Sequence, residues 1–185
     1  MKKKQTDFEK FHSQLDLPFL ETDYKFIDEI IWTLKHKFGL VSNSKQKLID
    51  LGAGNGSIVI FTGLNHKIKS YGIEIDQNLK KEANNRINLL KKEGKHKKRE
   101  FKNIIIKLGD FYSVNLEEYD FIYIYSLPSM QKYLKHLFSR AKKGAIIISH
   151  KYRLEGFTSI LKEEYSLTHR NSEEGVFTFF YKKIC

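Results

Sequence analysis

The chain has 185 residues, 41% of them hydrophobic and 14% aromatic, which fits one compact domain and excludes wholesale disorder and fibrous repeats. Its longest apolar stretches, residues 121–125 and 145–148, fall far short of the ~20 residues that span a bilayer, and a single cysteine, Cys185, excludes an internal disulfide and a multi-thiolate metal site. Thirty-three Lys and Arg against 22 Asp and Glu leave a charge of +11, a field that draws nucleic acid, anionic lipid or acidic protein surfaces, unless it is a compositional bias with solvated lysines on every face.

Residues 1–17 are mostly polar and charged and read as an N-terminal arm, leaving 18–185 as the folded domain. Lys2-Lys3-Lys4 is not followed by an apolar segment, so no secretory signal is expected and a cytoplasmic setting is the default. A helix face follows in Ile27, Ile30, Ile31, Leu34 and Phe38, with Thr22 or Asp23 to cap its start and Gly39 to end it. Residues 47–51 read as a buried strand running into a glycine cluster, 57–64 as a helix and 71–75 as a second strand. Leu79, Ala83, Ile87 and Leu90 mark another helix, stopped by Gly94 and followed by a basic linker over 91–102. Strands are expected at 104–108 and 121–125, then a helix opened by Pro128 with Met130, Tyr133, Leu134, Leu137 and Phe138 on its apolar face. A fifth strand spans 145–149, a short helix is expected near 157–164, and two strands near 166–169 and 176–181 close as a hairpin over Asn171 to Gly175. Strands alternate with helices, and several strands are apolar throughout. The expected fold is therefore α/β: a mostly parallel sheet with helices on both faces and an antiparallel last strand.

Ligands of open parallel sheets bind beyond the carboxyl ends of the strands, where the strand order reverses. Asp50-Leu51-Gly52-Ala53-Gly54-Asn55-Gly56 lies at such an end. Its spacing is G-x-G-x-G, unlike the G-x-G-x-x-G of dinucleotide binders, and Asp50 suits a ligand ammonium better than a pyrophosphate. Glu74, ending the second strand, can accept hydrogen bonds from two ribose hydroxyls. Asp110, after the third strand, is placed for an adenine amino group, and Phe111 for the ring. Each has a structural reading too: a plain turn, a helix cap, a strand-end charge, a loop residue. Three acids at successive strand ends are far more specific than any one alone. An amino-acid end, a ribose and an adenine without phosphate describe S-adenosylmethionine.

Residues 48–56, Gly72-Ile73-Glu74-Ile75-Asp76 and Gly109-Asp110 resemble the motifs of class I S-adenosylmethionine-dependent methyltransferases. The resemblance implies a Rossmann-like seven-stranded sheet in the order 3-2-1-4-5-7-6 with strand seven reversed. The fourth strand ends in Tyr125-Ser126-Leu127-Pro128, whereas enzymes that methylate nucleic-acid amino groups usually carry Asp/Asn-Pro-Pro-aromatic there. Pro18-Phe19-Leu20-Glu21-Thr22, the segment 119–128, and 143–150 followed by Gly156-Phe157 resemble a family of compact protein-lysine methyltransferases, with archaeal forms and mitochondrial relatives that modify an ATP synthase subunit. That family often has Pro-Tyr-Val-Pro-Thr where this chain has residues 18–22, and an acid where it has Ser129. The resemblance implies a protein partner bearing a target lysine, with Tyr125 and Ser126 beside the transferred methyl; Tyr125 read structurally is core at a strand end. Phe19 and Thr22 fit a lid over the cofactor or a packed helix entry, and His150 a hydrogen-bonded structural residue. A methyltransferase acting on RNA or DNA is the alternative that the basic linker suggests.

Overall fold

The computed structural model describes residues 20–169 and 175–185. The arm expected over 1–17, together with Pro18, Phe19 and residues 170–174 of the expected hairpin connection, lies outside the described residues.

Helix α1 (Tyr24–Lys37) opens where Asp23 accepts the backbone N–H of Lys25, satisfying one donor that the first turn leaves unpaired. It ends where Gly39, at φ +69°, lets Leu40 N–H reach back to the Leu34 carbonyl. Strand β1 (Lys47–Leu51) runs through the glycine turn into α2 (Ser57–Asn65), and β2 (Lys69–Glu74) into α3 (Gln77–Glu93). Asp76 caps α3 by accepting from Asn78 and Leu79, and Gly94 terminates it at φ +71°. Then come β3 (Ile104–Leu108), β4 (Phe121–Ile124), α4 (Gln131–Ser139) behind a 3-10 turn opened by Pro128, β5 (Ile146–His150), β6 (Leu161–Thr168) and β7 (Phe177–Lys183).

The seven strands form one sheet in the order β3-β2-β1-β4-β5-β7-β6. Strands β1 to β5 are parallel, and β7 runs antiparallel to both β5 and β6. Helix α1 lays Ile27, Ile30, Ile31 and Leu34 against Leu48, Phe121, Tyr123, Ile146 and Ile148 on one face of the sheet. Each of the four helix residues is at most 1% exposed, and such burial is worth about 1.5–3 kcal/mol per side chain. Helix α4 covers the other face, with Leu134, Leu137 and Phe138 on Ile49, Leu51, Ile122 and Ile147. Central strands packed on both faces are buried along their whole length: β4 is apolar throughout, and β5 is apolar up to the buried Ser149 and His150.

The helix expected near 157–164 is not formed. Phe157 opens a turn over 158–160, and β6 begins at Leu161. Phe157, Ile160 and Leu161 have helical spacing, but from Leu161 onward burial alternates with a period of two, as on a sheet edge. Pairing with β7 across seven positions outweighs the local helical signal.

Candidate functional site

Strand order reverses between β1 and β4, and there a shallow crevice opens over the carboxyl ends of the strands. Asp50, Gly52, Ala53, Asn55, Ser57, Tyr123 and Tyr125 line it, and Leu20, Glu21 and Thr22 fold across it. Asp50 lies in register between Gly72 and Tyr123 and is 4% exposed. Burial, and then the negative charge of Glu74, push its carboxyl well above the usual carboxylate range. A carboxyl so placed ionises readily only with a cation beside it.

The glycine turn is pinned from below: the N–H groups of Gly52 and Ala53 both donate to the Ile73 carbonyl, at 3.0 and 2.9 Å. Gly52 (φ +89°) is exposed, and a Cβ added there would meet nothing within 4 Å. Gly56 differs: at φ +81° it caps α2, and a Cβ there would lie 2.7 Å from Ile106 Cδ1 and 3.2 Å from Ala83 Cβ. Gly54, also at positive φ (+53°), donates its N–H to Glu74 Oε2 at 2.6 Å. The Glu74 carboxylate is 6% exposed and also accepts from Asp76 N–H at 2.8 Å. Two of its lone pairs are thus committed, which fixes the group, and about two are left for a ligand diol. Asp110 is partly exposed, accepts from Tyr112 N–H at 2.9 Å, and starts the 3-10 turn Phe111–Ser113. Phe111 is half-buried against Tyr112, with ring centroids 4.5 Å apart.

Tyr125 is half-buried at the crevice wall, with burial raising the pKa of its phenol. Ser126 is 4% exposed, and its Oγ has no hydrogen-bond partner. A buried hydroxyl left unpaired is costly, and such a group merits a ligand-based explanation. Behind Tyr125, His150 stands edge-on at 5.0 Å. It belongs to a buried chain: Glu29 pairs with His169 Nδ1, while His169 Nε2 and His150 Nδ1 both bond Thr178 Oγ1 at 2.8 Å. Burial first, then His169 and Lys151, bring the His150 pKa down to about 3. The imidazole is neutral and structurally bound.

The structure adds contacts that the motifs did not announce. Thr22 Oγ1 bonds Tyr123 Oη at 2.8 Å, tying the segment before α1 to β4, and Glu21 reaches Ser57 on α2. Ile75 and Leu108 are 54% and 51% exposed just beyond or at the ends of β2 and β3, next to Glu74 and Asp110. Both apolar side chains are thus left open near the two acids. Reading Ile75 as the last residue of a strand concealed this, since β2 ends at Glu74. Gly72 had a signal, a glycine inside a strand: a Cβ there would lie 2.6 Å from Ala53 Cβ, so its absence lets the loop settle on β2. Among the described residues no helix is long and apolar enough to cross a membrane, and no group of three or more His, Cys, Asp or Glu could hold a metal ion.

This strand order, with β7 reversed and a crevice over β1 and β4, is the architecture of class I S-adenosylmethionine-dependent methyltransferases. Solved structures share it: an RNA methyltransferase from Salinibacter ruber in complex with S-adenosyl-L-homocysteine superposes with a TM-score of 0.70 at 23% identity, covering 89% of this chain and 94% of that one. TYW2 of M. jannaschii in complex with AdoMet gives 0.61 at 19% identity over 92% and 81%, and TYW2 of P. horikoshii in complex with MeSAdo gives 0.64 at 18% over 92% and 67%. Residues 50–160, more than half the chain, match the model of the ANTKMT methyltransferase domain, and the chain belongs to that family. It is an S-adenosylmethionine-dependent methyltransferase. No curated protein matches it by sequence.

Proposed function

We propose that the chain methylates a lysine side chain of a protein and holds its cofactor with Asp50, Gly52, Gly54, Gly56, Glu74, Asp110 and Phe111. The residues fit that ligand. Asp50, buried and short of a counter-charge, suits the ammonium of the amino-acid end. Glu74, held by Gly54 and Asp76, turns its remaining lone pairs to the ribose hydroxyls. Asp110 and Phe111, with Ile75 and Leu108 exposed nearby, suit the adenine. Gly52 lets the backbone approach closely, and Gly56 lets α2 pack onto β3. The bound cofactor supplies an electrophilic methyl on a sulfonium.

The chain must then bring an amine lone pair in line behind that carbon. Deprotonating a lysine of ordinary pKa at pH 7 costs about 4.6 kcal/mol. An apolar, aromatic mouth lowers that cost by disfavouring the ammonium, and well-oriented placement supplies up to roughly 7–11 kcal/mol. The observation carrying the lysine reading is the end of β4: Tyr125 at the crevice wall and the unpartnered Ser126 hydroxyl beside it, in place of an Asp/Asn-Pro-Pro-aromatic loop. Tyr125 shapes the mouth, and Ser126 Oγ accepts an N–H of the incoming amine. The match to the ANTKMT domain supports the same acceptor. A second reading, methylation of RNA or DNA, draws on the exposed Lys91, Lys92, Lys95, Lys97, Lys98, Arg99 and Lys102. Labelled methyl from S-adenosylmethionine, incubated with the chain and a cell lysate, separates the two. Label in protease-sensitive material, located on lysine by mass spectrometry, supports the proposal; label in nuclease-sensitive material overturns it.

A further inference from the structure

An amino-acid ligand carries its carboxylate on the same carbon as its ammonium. An anion such as Asp50, suited to the ammonium, repels the carboxylate, which needs a cation of its own. Among the described residues one carboxylate is already paired with a cation at this crevice, and it belongs to the protein. Glu21 Oε1 accepts from Ser57 Oγ at 2.7 Å and from Arg86 Nη1 at 3.3 Å. Arg86 Nη1 also donates to Ser57 Oγ at 2.9 Å and to the Asn55 carbonyl at 3.4 Å, while its other nitrogen, Nη2, bonds Tyr24 Oη. Ser57 Oγ lies 2.8 Å from Asn55 Oδ1. Glu21, Asn55 and Ser57 line the same crevice as Asp50.

The receptor residues are more buried than their occupant. Ser57 and Asn55 are each 4% exposed, and the Arg86 side chain is 24% exposed, whereas that of Glu21 is 44% exposed. Burial opposes ionisation of Glu21, but its bonds to Ser57, Asn55 and Arg86 prevail and hold its pKa below the usual value. The position is also one where the chain departs from the family it resembles, which often carries proline there.

We propose that Arg86 and Ser57 form the subsite for the carboxylate of the cofactor's amino-acid end, and that Glu21 occupies this subsite in the ligand-free chain as a surrogate that the cofactor displaces. The inference rests on the assignment of this crevice to the cofactor. Displacement moves a half-exposed side chain into water and gives Arg86 a carboxylate in exchange. The cofactor therefore competes with Glu21 for Arg86, and its affinity is lower than the receptor alone would give.

Calorimetric titration of the full chain with S-adenosylmethionine, S-adenosylhomocysteine and 5′-methylthioadenosine tests this, because the third ligand lacks the amino-acid end. Loss of a charge-assisted contact in Arg86→Gln should weaken the first two ligands about tenfold or more and leave the third within about twofold. Glu21→Gln should tighten the first two severalfold and leave the third unchanged. Equal weakening of all three ligands in Arg86→Gln, no weakening of any, or weaker S-adenosylmethionine binding in Glu21→Gln would overturn the proposal. A wild-type chain that binds none of the three overturns the crevice assignment itself, a result distinct from those.

Discussion

Asp50 sets a cost for function against stability, and replacing it with asparagine measures both sides. The carboxyl is 4% exposed and is driven toward protonation by burial and by Glu74. Asp50→Asn preserves the shape and removes the charge, so the ligand-free fold should gain on the order of 1–2 kcal/mol. At this chain length that is a rise in Tm of about 2–8 °C. Because the folded-state pKa is raised, this penalty is absent below the unfolded pKa and grows as pH rises through the folded pKa, so the gain should be larger at pH 8 than at pH 5. Binding should move the other way. Losing the bond to the ligand ammonium weakens S-adenosylmethionine roughly 10- to 150-fold. With cofactor at 100 times the wild-type Kd, the wild type is stabilised by about 2.7 kcal/mol, and a variant binding about 30-fold more weakly by only about 0.9 kcal/mol. Thermal unfolding with and without cofactor reads both. An asparagine variant that melts lower without ligand, or that keeps the full ligand-induced shift, refutes the reasoning.

Ser126→Ala should leave the ligand-free fold unchanged or up to about 1 kcal/mol more stable, since it removes a buried hydroxyl without a partner, and should lower kcat while cofactor Kd holds; thermal melts, steady-state kinetics and calorimetry check the three parts. Gly56→Ala should cost more stability than Gly52→Ala, because both require positive φ but only the Gly56 Cβ would collide, with Ile106 at 2.7 Å; comparative urea unfolding decides the order. A third expectation concerns acid. His150 has its pKa lowered to about 3 in the fold, so the unfolded chain binds its proton first as pH falls below about 6.5. The fold then loses about 2 kcal/mol between pH 7 and pH 5 from this group alone. His169 and His66 are shifted the same way and add to the loss. Urea unfolding at the two pH values in the Asp50→Asn background, free of the opposing carboxylate effect, should show it; a flat profile would contradict the buried imidazole chain.

Much of the fold was legible because its strands are punctuated. Lys47–Leu51 and Ile104–Leu108 match their expected bounds, each being an apolar run closed by glycine or a cap. Strand β6 was not: Leu161–Thr168 mixes charged and apolar residues instead of forming an apolar run, and Phe157, Ile160 and Leu161 at its start carry helical spacing. The site divides similarly. Asp50, Glu74 and Asp110 stand at strand ends that sequence order alone makes consecutive. Glu21, Ser57 and Arg86 come from three segments: Arg86 of α3 meets Ser57 at the start of α2, and Glu21 joins them from the segment before α1, contacts no local pattern announces. Ile75 was hidden by one residue of strand boundary.

A crystal structure of the chain with S-adenosylhomocysteine tests the cofactor assignment most directly. The ribose should lie on Glu74, the ammonium within hydrogen-bonding reach of Asp50, and the adenine beside Asp110 and Ile75. A ligand seated elsewhere, or one in this crevice that leaves Asp50 and Glu74 without contact, would contradict it.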